Sequence, residues 1–127
     1  MNIIGNGVDI VDNKRIEKLL LNNNFLNRIF TYNEIKYSKK SQNKINFFAK
    51  RFAAKEAFVK ALGTGFRNNI NFSDIEIINN KKGKPEIKIS KKIKNLISKK
   101  FKSKKPKIYV SLSDEKNHSI AYVILEN

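Results

Sequence analysis

The longest helical alternation of apolar and polar positions lies in NKINFFAKRFAAKEAFVKALGTGF, residues 43–66. Phe48, Phe52, Val59 and Leu62 fall on one stripe at helical spacing, which predicts a helix with that stripe turned to a core. Its Ala, Lys, Phe and Leu content favours the helix, and Gly63 is placed to end it as a C-terminal cap. Glu56 sits on the same stripe, four residues after Phe52 and three before Val59. A carboxylate there is partly buried and needs a partner, because an unpaired buried charge is costly.

Two partners suit it. Lys60, one turn onward in the favourable Glu-to-Lys order, makes an ordinary pair worth about 0.3 kcal/mol if exposed. A metal ion, shared with a carboxylate from elsewhere in the chain, is the other. Arg51 and Lys55 are adjacent one turn apart, and Lys44 precedes them. Cations flanking a carboxylate suit a plain solvated face, and they also suit a site for metal-bound polyphosphate.

The remaining pattern predicts shorter elements. IIGNGVDIV (residues 3–11) reads as a first strand, with Val8 and Ile10 on one side and Gly7, Asp9 and Val11 on the other. Gly5 and Gly7 leave room there for a close backbone or ligand. Asp9 becomes a second carboxylate in need of a partner, whereas Asp12 is placed to cap a helix over residues 13–21. Lys14, Arg15 and Lys18 lie on that helix's polar side, either a solvated face or a docking surface for an acidic partner. Thr31 and Glu34 form a capping box for a short helix.

After residue 71 the period changes to two. SDIEIINN and PEIKIS read as strands around a KKGK turn, residues 91–101 as an amphipathic helix, and KIYVSLS with SIAYVILE as a C-terminal hairpin. The expected architecture is α+β: one domain over residues 1–127, with a mostly antiparallel sheet packed on the long central helix.

Composition narrows the chemistry. At 127 residues and 40% hydrophobic the chain suits one cored domain. It has no cysteine and one histidine, so disulfides, thiolate metal sites and a catalytic cysteine are excluded and a histidine metal site is disfavoured. No apolar run approaches a membrane span and no signal-peptide layout opens the chain, so a cytoplasmic protein without a membrane partner is expected. The net charge of +16, from 27 basic and 11 acidic side chains, points to anionic partners. A small basic nucleic-acid-binding module is the alternative this charge allows. Against it, no zinc, helix-turn-helix or ribonucleoprotein motif is present, and such a binder gains nothing from Asp9 and Glu56.

Five stretches in order, GVDIVDNKRI, FLNRIFTYNE, RFAAKEAFVKALGTGF, SDIEIINNKKGKP and SLSDEKNHSIAYVILE, resemble the bacterial holo-[acyl-carrier-protein] synthases, the small 4′-phosphopantetheinyl transferases. The resemblance runs from Gly5 to Glu126. It implies Mg²⁺-dependent transfer of 4′-phosphopantetheine from coenzyme A to a serine of apo acyl carrier protein, releasing adenosine 3′,5′-bisphosphate, in support of fatty acid biosynthesis. It further implies that Asp9 and Glu56 are the metal ligands. Arg51, Lys55 and Lys60 become phosphate-side contacts, with Lys60 in the catalytic set, and Lys44 reaches the 3′-phosphate. Gly83, Lys84 and Pro85 match a GKP placed beside coenzyme A, while Thr64 and Gly65 shape the pocket wall. Arg15 and Arg28 face the carrier protein. The family also forms homotrimers with sites at subunit interfaces and binds no nucleic acid. One departure stands out: many members carry a histidine where this sequence has Asp114, so a proton-transfer role for that histidine does not carry over.

Overall fold

The computed structural model describes residues 2–127. Strand β1 (Ile3–Asp12) runs directly into α1 (Asn13–Leu19), followed by α2 (Asn23–Ile29), α3 (Tyr32–Ser38) and the long α4 (Lys44–Leu62). A 3₁₀ turn at Phe72–Asp74 leads to β2 (Ile75–Asn79) and β3 (Pro85–Ile89), then α5 (Lys91–Phe101), β4 (Lys107–Asp114) and β5 (His118–Glu126). The class is α+β, as the periodicity predicts.

Local chemistry sets the helix boundaries. Asp12 Oδ1 accepts from Lys14 N (2.9 Å), Asn43 Oδ1 from Asn46 N (3.1 Å), and Thr31 with Glu34 closes a complete capping box. Gly63 ends α4 at φ 78°, a left-handed conformation that favours glycine. Helix α2 is an element that the apolar pattern does not separate from α3; Asn22 Oδ1 caps it by accepting from Asn24 N (2.9 Å).

The strands form two antiparallel sheets where one was expected. One has the order β1-β5-β4 and the other is the β2-β3 hairpin. The first and last strands pair, with Val8 opposite Tyr122 and Asp9 opposite Ala121. Helix α4 lies on β1 and β5 through Ala53, Ala57 and Ala61, all buried. Contact on this side is backbone to backbone: a Cβ on Gly5 would lie 2.1 Å from Ala61 O, and one on Gly7 1.9 Å from Ala57 O. The close approach allowed for at these glycines is therefore to a helix.

The other sides of α4 carry the aromatic core. Phe48 packs on Phe30 with ring centroids 4.6 Å apart, and Phe52 stacks on Phe72 at 5.7 Å. Burial of each such ring contributes roughly 2–3 kcal/mol. The helix is thus enclosed nearly all round, where the sequence pattern predicts one buried stripe. Arg51 and Lys55, placed by that pattern on the flank, are buried with it.

Because glycines turn the inner face of β1 to α4, Val8 and Ile10 face outward. They are 48% and 62% exposed, beside the exposed Ile120, Tyr122 and Tyr109 on the same sheet face. Among the described residues no helix is long and apolar enough to cross a membrane.

Candidate active site

The two carboxylates in need of a partner meet beside Lys60. Asp9 projects from the α4-facing side of β1, and Lys60 Nζ donates to Asp9 Oδ1 (3.0 Å) and to Val8 O (2.9 Å). Glu56 lies one turn before Lys60 on α4 and is half-buried. Burial pushes its carboxyl above the usual carboxylate range, and the nearby charge of Asp9 pushes it further, while Lys60 and then Arg15 pull it back. The Glu56–Lys60 pair open in the sequence gives way to a Lys60–Asp9 ion pair. The long lysine reaches past its own helix turn to the strand.

This arrangement fits a divalent cation. Two carboxylates whose charges repel at one edge of a helix-strand contact are stabilised by a cation between them. Among the described residues no cluster of three or more His, Cys, Asp or Glu could hold a metal alone. A pair of carboxylates is what Mg²⁺ uses when water and substrate phosphates complete its shell.

Arg15 belongs to the same neighbourhood. It is exposed on α1, and its charge is felt at Glu56. Arg28 is exposed in the last turn of α2, where it also complements the helix C-terminus. Thr64 and Gly65 come after the Gly63 cap; Thr64 Oγ1 donates to Gly65 O (2.8 Å), and Gly65 takes φ 60°. Gly83 and Lys84 lie in the β2-β3 turn and Pro85 opens β3, with Asn80 Oδ1 accepting from Lys84 N (3.0 Å). Lys84 and Pro85 line an open cleft of about 700 Å³ that runs past Lys94 to Tyr109.

Lys44 is exposed at the start of α4, twelve residues before Glu56, hence about 18 Å away along the helix axis. Arg51 is 4% exposed, with its guanidinium 3.6 Å from the Phe47 ring centroid and Nη1 donating to Phe47 O (3.3 Å). Its Nε has no hydrogen-bond partner, and burial lowers its pKa to about 10 against the pull of Glu34. It borders a cleft of about 450 Å³ with Lys40, Lys50, Tyr37 and Phe47. A guanidinium with donors to spare at the wall of a cationic cleft retains the capacity to bind an anion.

Lys55 requires correction. Its ammonium is fully buried and donates to Glu34 Oε1 (2.7 Å), Ile29 O (2.7 Å) and Phe72 O (3.1 Å). All three protons are used, so this side chain has none to give a phosphate. Glu34, read from the sequence only as a cap, accepts also from Ile77 N (2.9 Å) and Thr31 N (2.9 Å). The capping box was the sole local signal of Glu34; its pairing with Lys55 is not legible along the chain.

Sequence reasoning also missed a polar clamp around the β4-β5 turn. Asn13 Nδ2 donates to Glu115 O (3.0 Å) and Lys116 O (3.1 Å), while Asn13 Oδ1 accepts from Ser119 Oγ (2.7 Å). Asp114, the position that departs from the family pattern, accepts from Asn46 Nδ2 (2.7 Å) and pairs with Lys50 (3.4 Å). The aspartate thereby ties the turn to the first turns of α4.

Comparison with known proteins shows the family. Residues 5–123 match the family model described as the 4′-phosphopantetheinyl transferase superfamily. A holo-[acyl-carrier-protein] synthase of Pelagibacter ubique is 55% identical over 126 residues, covering 99% of this chain and 98% of that protein. The crystal structure of the holo-[acyl-carrier-protein] synthase of Neisseria meningitidis superposes with a TM-score of 0.88 at 37% identity, covering 99% of this chain and 100% of that one. That of Bacillus anthracis, solved in complex with coenzyme A (3′,5′-ADP), gives a TM-score of 0.80 at 37% identity over 98% and 97% of the two chains. With an Asp9–Lys60–Glu56 cluster held between the first strand and the central helix, and relatives of equal length along the whole chain, the protein belongs to the 4′-phosphopantetheinyl transferase superfamily and to its holo-[acyl-carrier-protein] synthases.

Proposed function

We propose that the protein transfers 4′-phosphopantetheine from coenzyme A to a serine hydroxyl of apo acyl carrier protein, with Mg²⁺ held by Asp9 and Glu56. The observation that carries this reading is the meeting of two carboxylates and Lys60 at one point of an otherwise cationic chain. The serine hydroxyl gives up its proton to solvent as its oxygen forms a new bond to the phosphorus bearing pantetheine. The bond from that phosphorus to the bridging oxygen breaks, and adenosine 3′,5′-bisphosphate leaves with the electron pair. The metal, when bound, supplies positive charge against the phosphate oxygens as negative charge builds on the leaving group.

The chain's own residues do the remainder. Asp9 and Glu56 present their oxygens from a strand and a helix in direct backbone contact, so their separation is fixed before substrate arrives. Lys60, half-exposed and anchored to Val8 O, stands ready to donate to a phosphate oxygen. Arg51, Lys84 and Pro85 line clefts that would take other parts of coenzyme A, and Lys44 would reach the 3′-phosphate. Arg15 and Arg28 present positive charge to the acidic carrier protein.

Val8, Ile10, Ile120, Tyr122 and Tyr109 make an apolar sheet face open to solvent. A face of this kind supports a homotrimer with active sites at the subunit interfaces, where Lys44, about 18 Å from Glu56 along their helix, would serve a neighbour's metal site. A cytoplasmic place in fatty acid biosynthesis accords with the same reading. Incubation with coenzyme A, Mg²⁺ and apo acyl carrier protein, followed by mass spectrometry of the carrier, tests it. A gain of one phosphopantetheine is expected; an unchanged carrier mass would refute the transfer.

A further inference from the structure

Gly5, Gly7 and Asp9 occupy alternate positions on the face of β1 turned to α4. Two strand residues advance about 6.7 Å and four helix residues about 6.0 Å, so the elements run nearly in step. Gly5 rests on the Ala61 carbonyl, Gly7 on the Ala57 carbonyl, and Asp9 is the next position along the face, with its carboxylate beside the Glu56–Lys60 turn. We propose that Gly7 is a positioning residue for the carboxylate pair: its backbone contact with Ala57 sets how closely Asp9 approaches Glu56. This rests on the reading that the pair holds a divalent cation.

The contact leaves nothing soft to yield. A Cβ on Gly7 would lie 1.9 Å from Ala57 O, 2.8 Å from Ala61 N and 2.9 Å from Ala57 C, all backbone atoms. Ordinary carbon–oxygen contact needs about 3.3 Å, so a methyl group there drives strand and helix apart by roughly an ångström or more. Mg²⁺ accepts oxygens only near 2.0–2.1 Å in close to octahedral geometry, and a short aspartate has little reach with which to recover that distance. Gly5 meets Ala61 O as tightly, at 2.1 Å, but lies two residues further from Asp9. A methyl there should loosen the same interface while sparing the metal geometry. The two glycines thus separate packing from positioning.

Binding of Mn²⁺, as a spectroscopic surrogate for Mg²⁺, is measured by electron paramagnetic resonance with coenzyme A present and no carrier protein. Thermal melts of each variant run alongside. Gly7→Ala is expected to weaken Mn²⁺ binding at least about tenfold, and Gly5→Ala by less than about threefold despite comparable loss of thermal stability. Equal losses in both variants, or a Gly7→Ala protein that binds as wild type does, would overturn the role of Gly7. A wild type that binds no Mn²⁺ takes down the underlying reading and this inference together. Should Gly7→Ala fail to fold, Asp9→Glu decides: its carboxylate reaches about 1.5 Å further, so a rigidly set gap costs it about tenfold in Mn²⁺ affinity. Wild-type affinity in Asp9→Glu would mean that the strand adjusts and Gly7 sets nothing.

Discussion

Lys55 Nζ lies 2.7 Å from Glu34 Oε1 with both side chains wholly buried, an ion pair that ties the central helix to α3. Desolvation lowers the pKa of Lys55, and the charge and hydrogen bond of Glu34 oppose that shift. Removing one partner strands the other charge in the core. Lys55→Met is therefore expected to cost about 3–5 kcal/mol of folding stability by urea denaturation. The double variant with Glu34→Gln should lose less than the sum of the two single changes. A Lys55→Met protein within about 1 kcal/mol of wild type would show that the pair is not a structural hub.

The Asp9–Glu56 carboxylate pair sets the proposed function against stability. Burial and then Asp9 raise the pKa of Glu56, so the fold holds its protonated form better than the unfolded chain does. A group raised in this way contributes stability that is complete below its unfolded pKa and is lost as pH rises through the folded value. Without metal, Glu56→Gln should retain that contribution at neutral pH. It should melt no lower than wild type there and show a smaller loss of stability from the ordinary carboxylate range upward. The same substitution, like Asp9→Asn, should reduce activity roughly a thousand-fold, the effect of several kcal/mol in the transition state. Near-wild-type turnover at limiting Mg²⁺ would remove either residue from the ligand set.

Arg15 is exposed on α1 and also felt at Glu56, so docking and nucleotide binding need separating. If it docks the carrier, Arg15→Glu raises the apparent KM for carrier protein and flattens the salt dependence of association, with little change toward coenzyme A. Equal weakening toward both substrates would assign Arg15 to the nucleotide site.

The apolar face of the three-stranded sheet gives assembly a direct test. Ile10, 62% exposed among Val8, Ile120 and Tyr122, should become buried when chains associate. Light scattering should give a mass about three times the 14.7 kDa of one chain, and Ile10→Lys should shift it toward the monomer. A wild-type mass near that of a single chain would exclude a shared site.

Short-range physics made much of this protein legible from its sequence. Caps at Asp12, Thr31 and Gly63, the strand alternation after residue 71 and the helix over residues 44–62 each depend on neighbours a few positions apart. The sequence alone also singled out Asp9 and Glu56, since carboxylates placed among apolar residues need a reason to be there. It did not say that Lys60 would choose Asp9 over Glu56, nor that Lys55 would enter the core. Both outcomes depend on where strand β1 and helix α3 come to lie against α4, and a lysine long enough to reach several acceptors is assigned by position in space. The outward turn of Val8 and Ile10 was decided in the same way. An alternating strand has two faces, and the glycine face won the helix because only a residue without a Cβ lets the two backbones touch.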